Sequence, residues 1–170
     1  MSKRILLPLC LLLVAACSKE SNSATSPAAS AAIPASMKLE AAPPAAISVI
    51  DLRKSAADGA EVVVTGRVKY FGEKRAIFTI ADMSLKSCSD AGDAMVDSCK
   101  TPWDYCCVDS KVLAEGTTAI EVRADGQPAQ GTVKGWNGLD YLKQVTVHGK
   151  VHRAADGDLA VIADGIFVQS

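Results

Sequence analysis

Four cysteines crowd into one stretch of this 170-residue chain, Cys88, Cys99, Cys106 and Cys107, within KSCSDAGDAMVDSCKTPWDYCC. Clustered thiols support three kinds of chemistry: a structural metal, thiol redox, or covalent cross-links. Structural zinc takes paired spacings such as Cys-x2-Cys, and the pattern Cys88-x10-Cys99-x6-Cys106-Cys107 has none. The same missing spacing, with no helical pattern to put a thiol at a helix start, argues against a dithiol oxidoreductase. Disulfides are the simplest use of the four in an exported chain. Three connectivities are possible. A bridge between the adjacent Cys106 and Cys107 strains the peptide joining them, so Cys88 and Cys99 are each expected to pair with one member of the doublet. Each bridge would contribute about 2–4 kcal/mol, mainly by restricting the unfolded loop. Beside the doublet, Thr101-Pro102-Trp103-Asp104-Tyr105 is turn-forming and carries two aromatics. On a stapled loop, Trp103 and Tyr105 either meet a partner at little ordering cost or cover the sulfurs as a satellite core.

No other constellation points to catalysis. The chain lacks Gly-x-Ser-x-Gly, a phosphate loop, His-Glu-x-x-His and Gly-x-Gly-x-x-Gly, so no catalytic residue is assigned and no cofactor is expected. The carboxylate pairs Asp90/Asp93 and Asp156/Asp158 fall in turn-like segments, and the run from Asp90 to Asp97 lacks the order of a calcium loop. His148 and His152 share a strand face roughly 13 Å apart, too far to hold one ion, and are expected to face solvent beside Lys150. No metal site is assigned. Arg67, Lys69, Arg75 and Arg123 offer a modest basic face. The cysteine stretch opposes it, with Asp82, Asp90, Asp93, Asp97, Asp104 and Asp109 against Lys86 and Lys100.

The compartment follows from the N-terminus. Met-Ser-Lys-Arg precedes an apolar run from Ile5 to Ala16, a charged head and short greasy body typical of an export signal. That run is too short for a transmembrane helix, which needs about 20 residues. Val14-Ala15-Ala16-Cys17 resembles the lipobox of bacterial lipoprotein precursors. The resemblance implies cleavage before Cys17, with residues 1–16 as the signal peptide and acyl chains on Cys17 anchoring the protein. Ser18 after that cysteine points to the outer membrane in the enteric sorting pattern. From there to residue 47 the chain is rich in Ala, Ser and Pro, with Pro27, Pro34, Pro43 and Pro44, and is expected to be a disordered tether.

The remaining residues, 48–170, make one small domain. The composition of 49% hydrophobic residues overstates the core, because alanine is frequent between residues 25 and 60 and aromatics are only 5%. A net charge of −1 shows no footprint for a polyanion. Beyond residue 47 apolar residues recur at period two, marking strands around 62–70, 76–80, 118–122, 145–151 and 159–168, the last bending at Asp164-Gly165. Two short helices are expected, Ser48 to Ala56 and about Trp136 to Leu142. Val64-Thr65-Gly66-Arg67-Val68 and Val147-His148-Gly149-Lys150-Val151 share one form, with a mid-strand glycine that marks a barrel corner or close backbone approach. This order resembles the OB-fold, and GAEVVVTGRV with VTVHGKV and ADGIFV resembles bacterial exported OB-fold proteins. The expected architecture is mainly β, a small five-stranded OB-fold-like barrel with one or two short helices and a cysteine-rich insertion at 83–115. TPWDYCC is similar to a segment of uncharacterised exported bacterial proteins, which implies membership and no mechanism.

The expected function is a lipid-anchored, periplasm-facing binding module of the cell envelope, not an enzyme. Its contacts would be Trp103 and Tyr105, with Arg67, Lys69, Arg75 and Arg123, to a protein, small-molecule or glycan partner. The rivals are single-stranded nucleic-acid binding, which the charge disfavours, and thiol-redox or metal chemistry.

Overall fold

The computed structural model describes residues 29–92, 99–155 and 157–170. The signal segment 1–16, Cys17, Asp93, Asp97 and Asp156 lie outside the described residues. Val64, Gly66 and Val68 alternate with Thr65, Arg67 and Lys69 along one long strand and are buried, and a register shift between Val68 and Tyr70 then turns Phe71 inward and leaves Tyr70 exposed. The elements run β1 (Ile47–Ser48), α1 (Val49–Ser55), β2 (Glu61–Phe71), β3 (Ile77–Ala81), α2 (Ser110–Glu115), β4 (Thr117–Ala124), β5 (Gln127–Pro128), β6 (Gln144–Arg153) and β7 (Leu159–Val168).

Five of these strands close on themselves. β2 pairs β3, β3 pairs β4, β4 pairs β7, β7 pairs β6, and β6 returns to β2. Every pairing in that circuit is antiparallel except β4 with β7, which is parallel. With β1 and β5 outside the ring, this is the small OB-fold-like barrel the strand order implied. Closure removes free sheet edges and lets Val64, Phe78, Ile80, Ile120, Val147 and Val161 meet in one core. Ser48 caps α1 by accepting the Asp51 N–H, and the helix turns Val49 and Leu52 fully into that core.

The two similar pentads are paired strands. Val64 lies opposite Val147, and Gly149 lies opposite Val62. A Cβ on Gly149 would sit 2.2 Å from the Ile162 carbonyl oxygen, and one on Gly66 would sit 2.7 Å from that of Ala81. Both glycines let backbones approach where no side chain fits, and the β6–β7 register shifts beside Gly149.

Two expectations need correction. The segment expected as tether joins the domain from Ala29 onward. Ala31 N–H donates to Thr132 O at 2.8 Å, Leu39 N–H donates to Ile166 O at 3.0 Å, and Met37 is buried. Sparse anchors, Ile33, Met37 and Ile47, are enough to lay an Ala/Pro-rich chain along a preformed barrel. The helix expected over 136–142 is a single 3-10 turn, Trp136–Gly138. Left-handed backbone at Gly135, Asn137, Gly138 and Leu142 prevents it from continuing. Leu139 is still buried in the core, and Trp136 packs against it.

Gly149→Ala is therefore expected to lower stability by about 1–3 kcal/mol in denaturant titration, the usual cost of overpacking. An unchanged midpoint would show that the β6–β7 approach is not tight.

Candidate functional site

Between β3 and β4 the chain makes a long excursion, residues 82–116, and barrel side chains decide where it lies. Asp82 opens it and is buried. Burial alone would raise its pKa, but bonds from Ser84 and from the Ile50 N–H outweigh that and hold it low. Arg67 on β2 then reaches outward. Its Nη2 donates to Leu85 O at 2.8 Å and to Asp90 Oδ2 at 2.6 Å, while Nη1 donates to Asp90 Oδ1 at 3.2 Å. The guanidinium also stands 5.9 Å from the Tyr105 ring centre. Two residues along the same strand, Lys69 pairs with Asp104 at 3.1 Å. The two arms of the insertion join through Cys88 N–H to Asp104 O and Ser89 N–H to Pro102 O, both 2.8 Å.

These clamps enclose a second core of Ala81, Leu85 and Tyr105, flanked by Val108, Leu113 and Leu142. Tyr105 is 0% exposed. Its hydroxyl has no hydrogen-bond partner among the described residues, and burial pushes its pKa up. Tyr105 is thus not a surface contact; it is the centre of the satellite core. α2, unforeseen, closes the insertion. Asp109 accepts the Lys111 and Val112 N–H groups and Gly116 ends the helix, a cap-and-stop pattern legible in DSKVLAEG.

The insertion brings its sulfurs together. Cys88 is buried and Cys106 and Cys107 are exposed, yet their three sulfurs lie within 4.8 Å of one another. Cys88 Sγ stands 2.8 Å from Cys106 Sγ, and Cys106 Sγ 3.9 Å from Cys107 Sγ. The Cys106 thiol shares its proton with Cys88, which lowers the Cys88 pKa and pushes that of Cys106 up to about 12. Cys99 acts on both through its side chain.

Trp103 does reach the surface. It stacks on Tyr141 with ring centres 5.0 Å apart, Tyr141 meets Phe71 edge-on at 5.2 Å, and Phe71 lies 6.3 Å from Phe78. Four rings thus run from barrel core to insertion, ending in a cleft lined by Ser89, Pro102, Trp103, Lys134, Tyr141 and Leu142. Lys134 Nζ stands 4.4 Å over the Tyr141 ring and 3.5 Å from Asp140. Nothing in the sequence beside Tyr141 or Lys134 shows that they meet Trp103, whose ring stacks on Tyr141 from more than 30 residues away.

The basic face does not form. Arg67 and Lys69 are consumed as clamps, and Arg123 pairs with Glu121 at 2.7 Å, leaving Arg75 exposed in the β2–β3 connection. Glu121 and Arg123 instead line a second cleft across β4 with Arg53, Thr79 and His152. His148 is not a bare surface histidine either. It bonds Asp164 through Nδ1 and lies 3.0 Å from Glu61 through Nε2, contacts that raise its pKa.

These shifts have opposite signs in pH. Arg67 holds Asp90 far below the usual carboxylate range, so the pair's stabilisation is full above pH ~4 and is lost as pH falls through the folded value. His148 is shifted upward, so its contribution is full below pH ~6.5 and is lost as pH rises through its folded value. Denaturant titrations from pH 2 to 9 should show a shallower decline below pH 4 in Asp90→Asn than in the parent, and the alkaline decline should flatten in His148→Gln. Curves parallel to the parent would show that neither pair is coupled to folding. No protein-family model matches this chain, and neither does any curated protein.

Proposed function

We propose that this chain is a lipid-anchored protein of the bacterial cell envelope, facing the periplasm and favouring the outer membrane. In this reading its barrel carries a cysteine-stapled insertion and serves as a non-catalytic binding module. The anchor rests on the charged head, the short apolar run and Val14-Ala15-Ala16-Cys17. One observation carries the binding role: the ring column that leaves the core through Phe71 and Tyr141 and ends on Trp103 at a cleft. An aromatic held from behind presents apolar area with little entropy left to lose, which favours capture of a partner. Lys134 and Asp140 beside it supply polar direction for a protein, small-molecule or glycan partner.

Single-stranded nucleic-acid binding fits less well. A phosphate groove needs unspent cations. Here Arg67, Lys69 and Arg123 are each paired with a carboxylate.

Intact-mass measurement of the protein from its native host should give residues 17–170 plus acyl chains; an uncut, unmodified mass contradicts the anchor. For the cleft, the immobilised full chain is screened against soluble envelope glycan fragments and purified envelope proteins. Trp103→Ala is expected to weaken any ligand found by at least tenfold, and Glu73→Ala to leave it unchanged. A ligand indifferent to Trp103, or oligonucleotide binding that falls steeply with salt, would overturn the assignment.

A further inference from the structure

We propose that the four-thiol cluster is a pair of interlocked disulfides, Cys88 with Cys106 and Cys99 with Cys107, and not a metal centre, and that this clasp holds Trp103 at the cleft. The proposal rests only on the export part of the reading above, which supplies an oxidising compartment.

Distances separate the two chemistries. Four thiolates around one zinc at about 2.3 Å each stand about 3.8 Å from one another, set by tetrahedral geometry. Cys88 Sγ and Cys106 Sγ are 2.8 Å apart, a full ångström closer than two ligands of one ion. A sulfur–sulfur bond of about 2.05 Å is within a small side-chain adjustment. The Cys106–Cys107 separation of 3.9 Å offers no such bond, and those residues are adjacent. Once Cys88 has taken Cys106, the remaining partners are Cys99 and Cys107.

The surrounding backbone sets this geometry with the thiols still unbonded. Cys88 is fixed by its N–H to Asp104 O, its arm is tied to β2 through Asp90 and Arg67, and the opposite arm is tied through Asp104 and Lys69. Pre-positioned thiols have high effective concentration, and their disulfide resists reduction accordingly. The step balances by thiol–disulfide exchange with a protein or glutathione disulfide as oxidant. Exposed Cys106 attacks the oxidant disulfide while the Cys88 thiolate, 2.8 Å away, takes its proton and passes it to the departing sulfur, releasing one thiol. The Cys88 thiolate then attacks the Cys106 sulfur and releases the second. Two protein thiols lose two protons and two electrons, and the oxidant disulfide becomes two thiols. The second pair forms in the same way. Trp103 lies in the segment 99–106 between the two bridges, so oxidation restricts the part of the chain that carries it.

The test uses purified full chain in glutathione buffers of defined ratio, with each cysteine read by peptide mass so that Cys10 and Cys17 are scored apart from the loop. The parent, purified aerobically, should show none of the four loop thiols open to alkylation after denaturation and no stoichiometric zinc or copper by elemental analysis. In Cys99→Ser/Cys107→Ser, the remaining Cys88 and Cys106 should stay half-oxidised at a reducing ratio at least tenfold higher than Cys88 and Cys107 tolerate in Cys99→Ser/Cys106→Ser. Should either variant misfold, electron-transfer fragmentation of the parent digest between Cys106 and Cys107 reports the pairing directly. Four alkylatable loop thiols with one zinc or copper per chain would overturn the proposal. So would a Cys88–Cys107 link in the parent, or equal resistance to reduction in the two variants.

Discussion

A single guanidinium sets the relation between the barrel and its insertion. Arg67 projects from β2, satisfies a main-chain carbonyl at Leu85, holds both oxygens of Asp90 and lies against the Tyr105 ring. Its side chain is only 18% exposed, so these contacts are poorly screened by water. Charge-assisted, two-oxygen bonding has a fixed geometry, which a lysine at this site would not reproduce. The insertion therefore has a defined seat, and Lys69, two residues further on the same strand, fixes its second arm through Asp104.

This arrangement reverses the role that charge would have if the basic residues were free. Cations on an OB-like barrel ordinarily invite phosphates. Here Asp90 and Asp104 of the insertion pair with Arg67 and Lys69, and the surface beside the seat carries the half-buried Trp103. Trp103 rests on Tyr141, and Tyr141 on Phe71, so the surface ring is supported from the hydrophobic core outward. The sulfur cluster and the Trp103 cleft belong to one folded unit, because the segment that carries Trp103 runs between Cys99 and Cys106.

The barrel was largely legible in the sequence because alternation reports which face of a strand is buried. Val62 to Val68 and Val145 to Val151 declared themselves, while Tyr70, in phase with the first set, faces outward past the bulge after Val68, and the two strands with mid-strand glycines do pair. Ser48 similarly marked the start of α1. What escaped depends on contacts between distant residues or on rare backbone states. Nothing near Arg67 shows that its partner is Asp90, 23 residues away. The 3-10 turn at Trp136 hides behind a helix-like spacing because Asn137 and Leu142 adopt positive φ. The Ala/Pro composition of residues 29–47 concealed a few apolar anchors that need the finished barrel to dock on. Tyr105 and Trp103 look alike in the sequence, two residues apart, yet one is interior and the other lines the cleft. That difference arises from Arg67 and Leu85, which neither neighbour reveals.

Whether the Arg67 seat organises the insertion on a barrel that stands without it is read by amide hydrogen exchange on Arg67→Met beside the parent under the same redox conditions. Faster exchange is expected at the amides of Cys88, Ser89 and Asp104 and in α2, with protection in β2, β4, β6 and β7 retained. Unchanged protection across the insertion, or uniform loss across every strand, would contradict it.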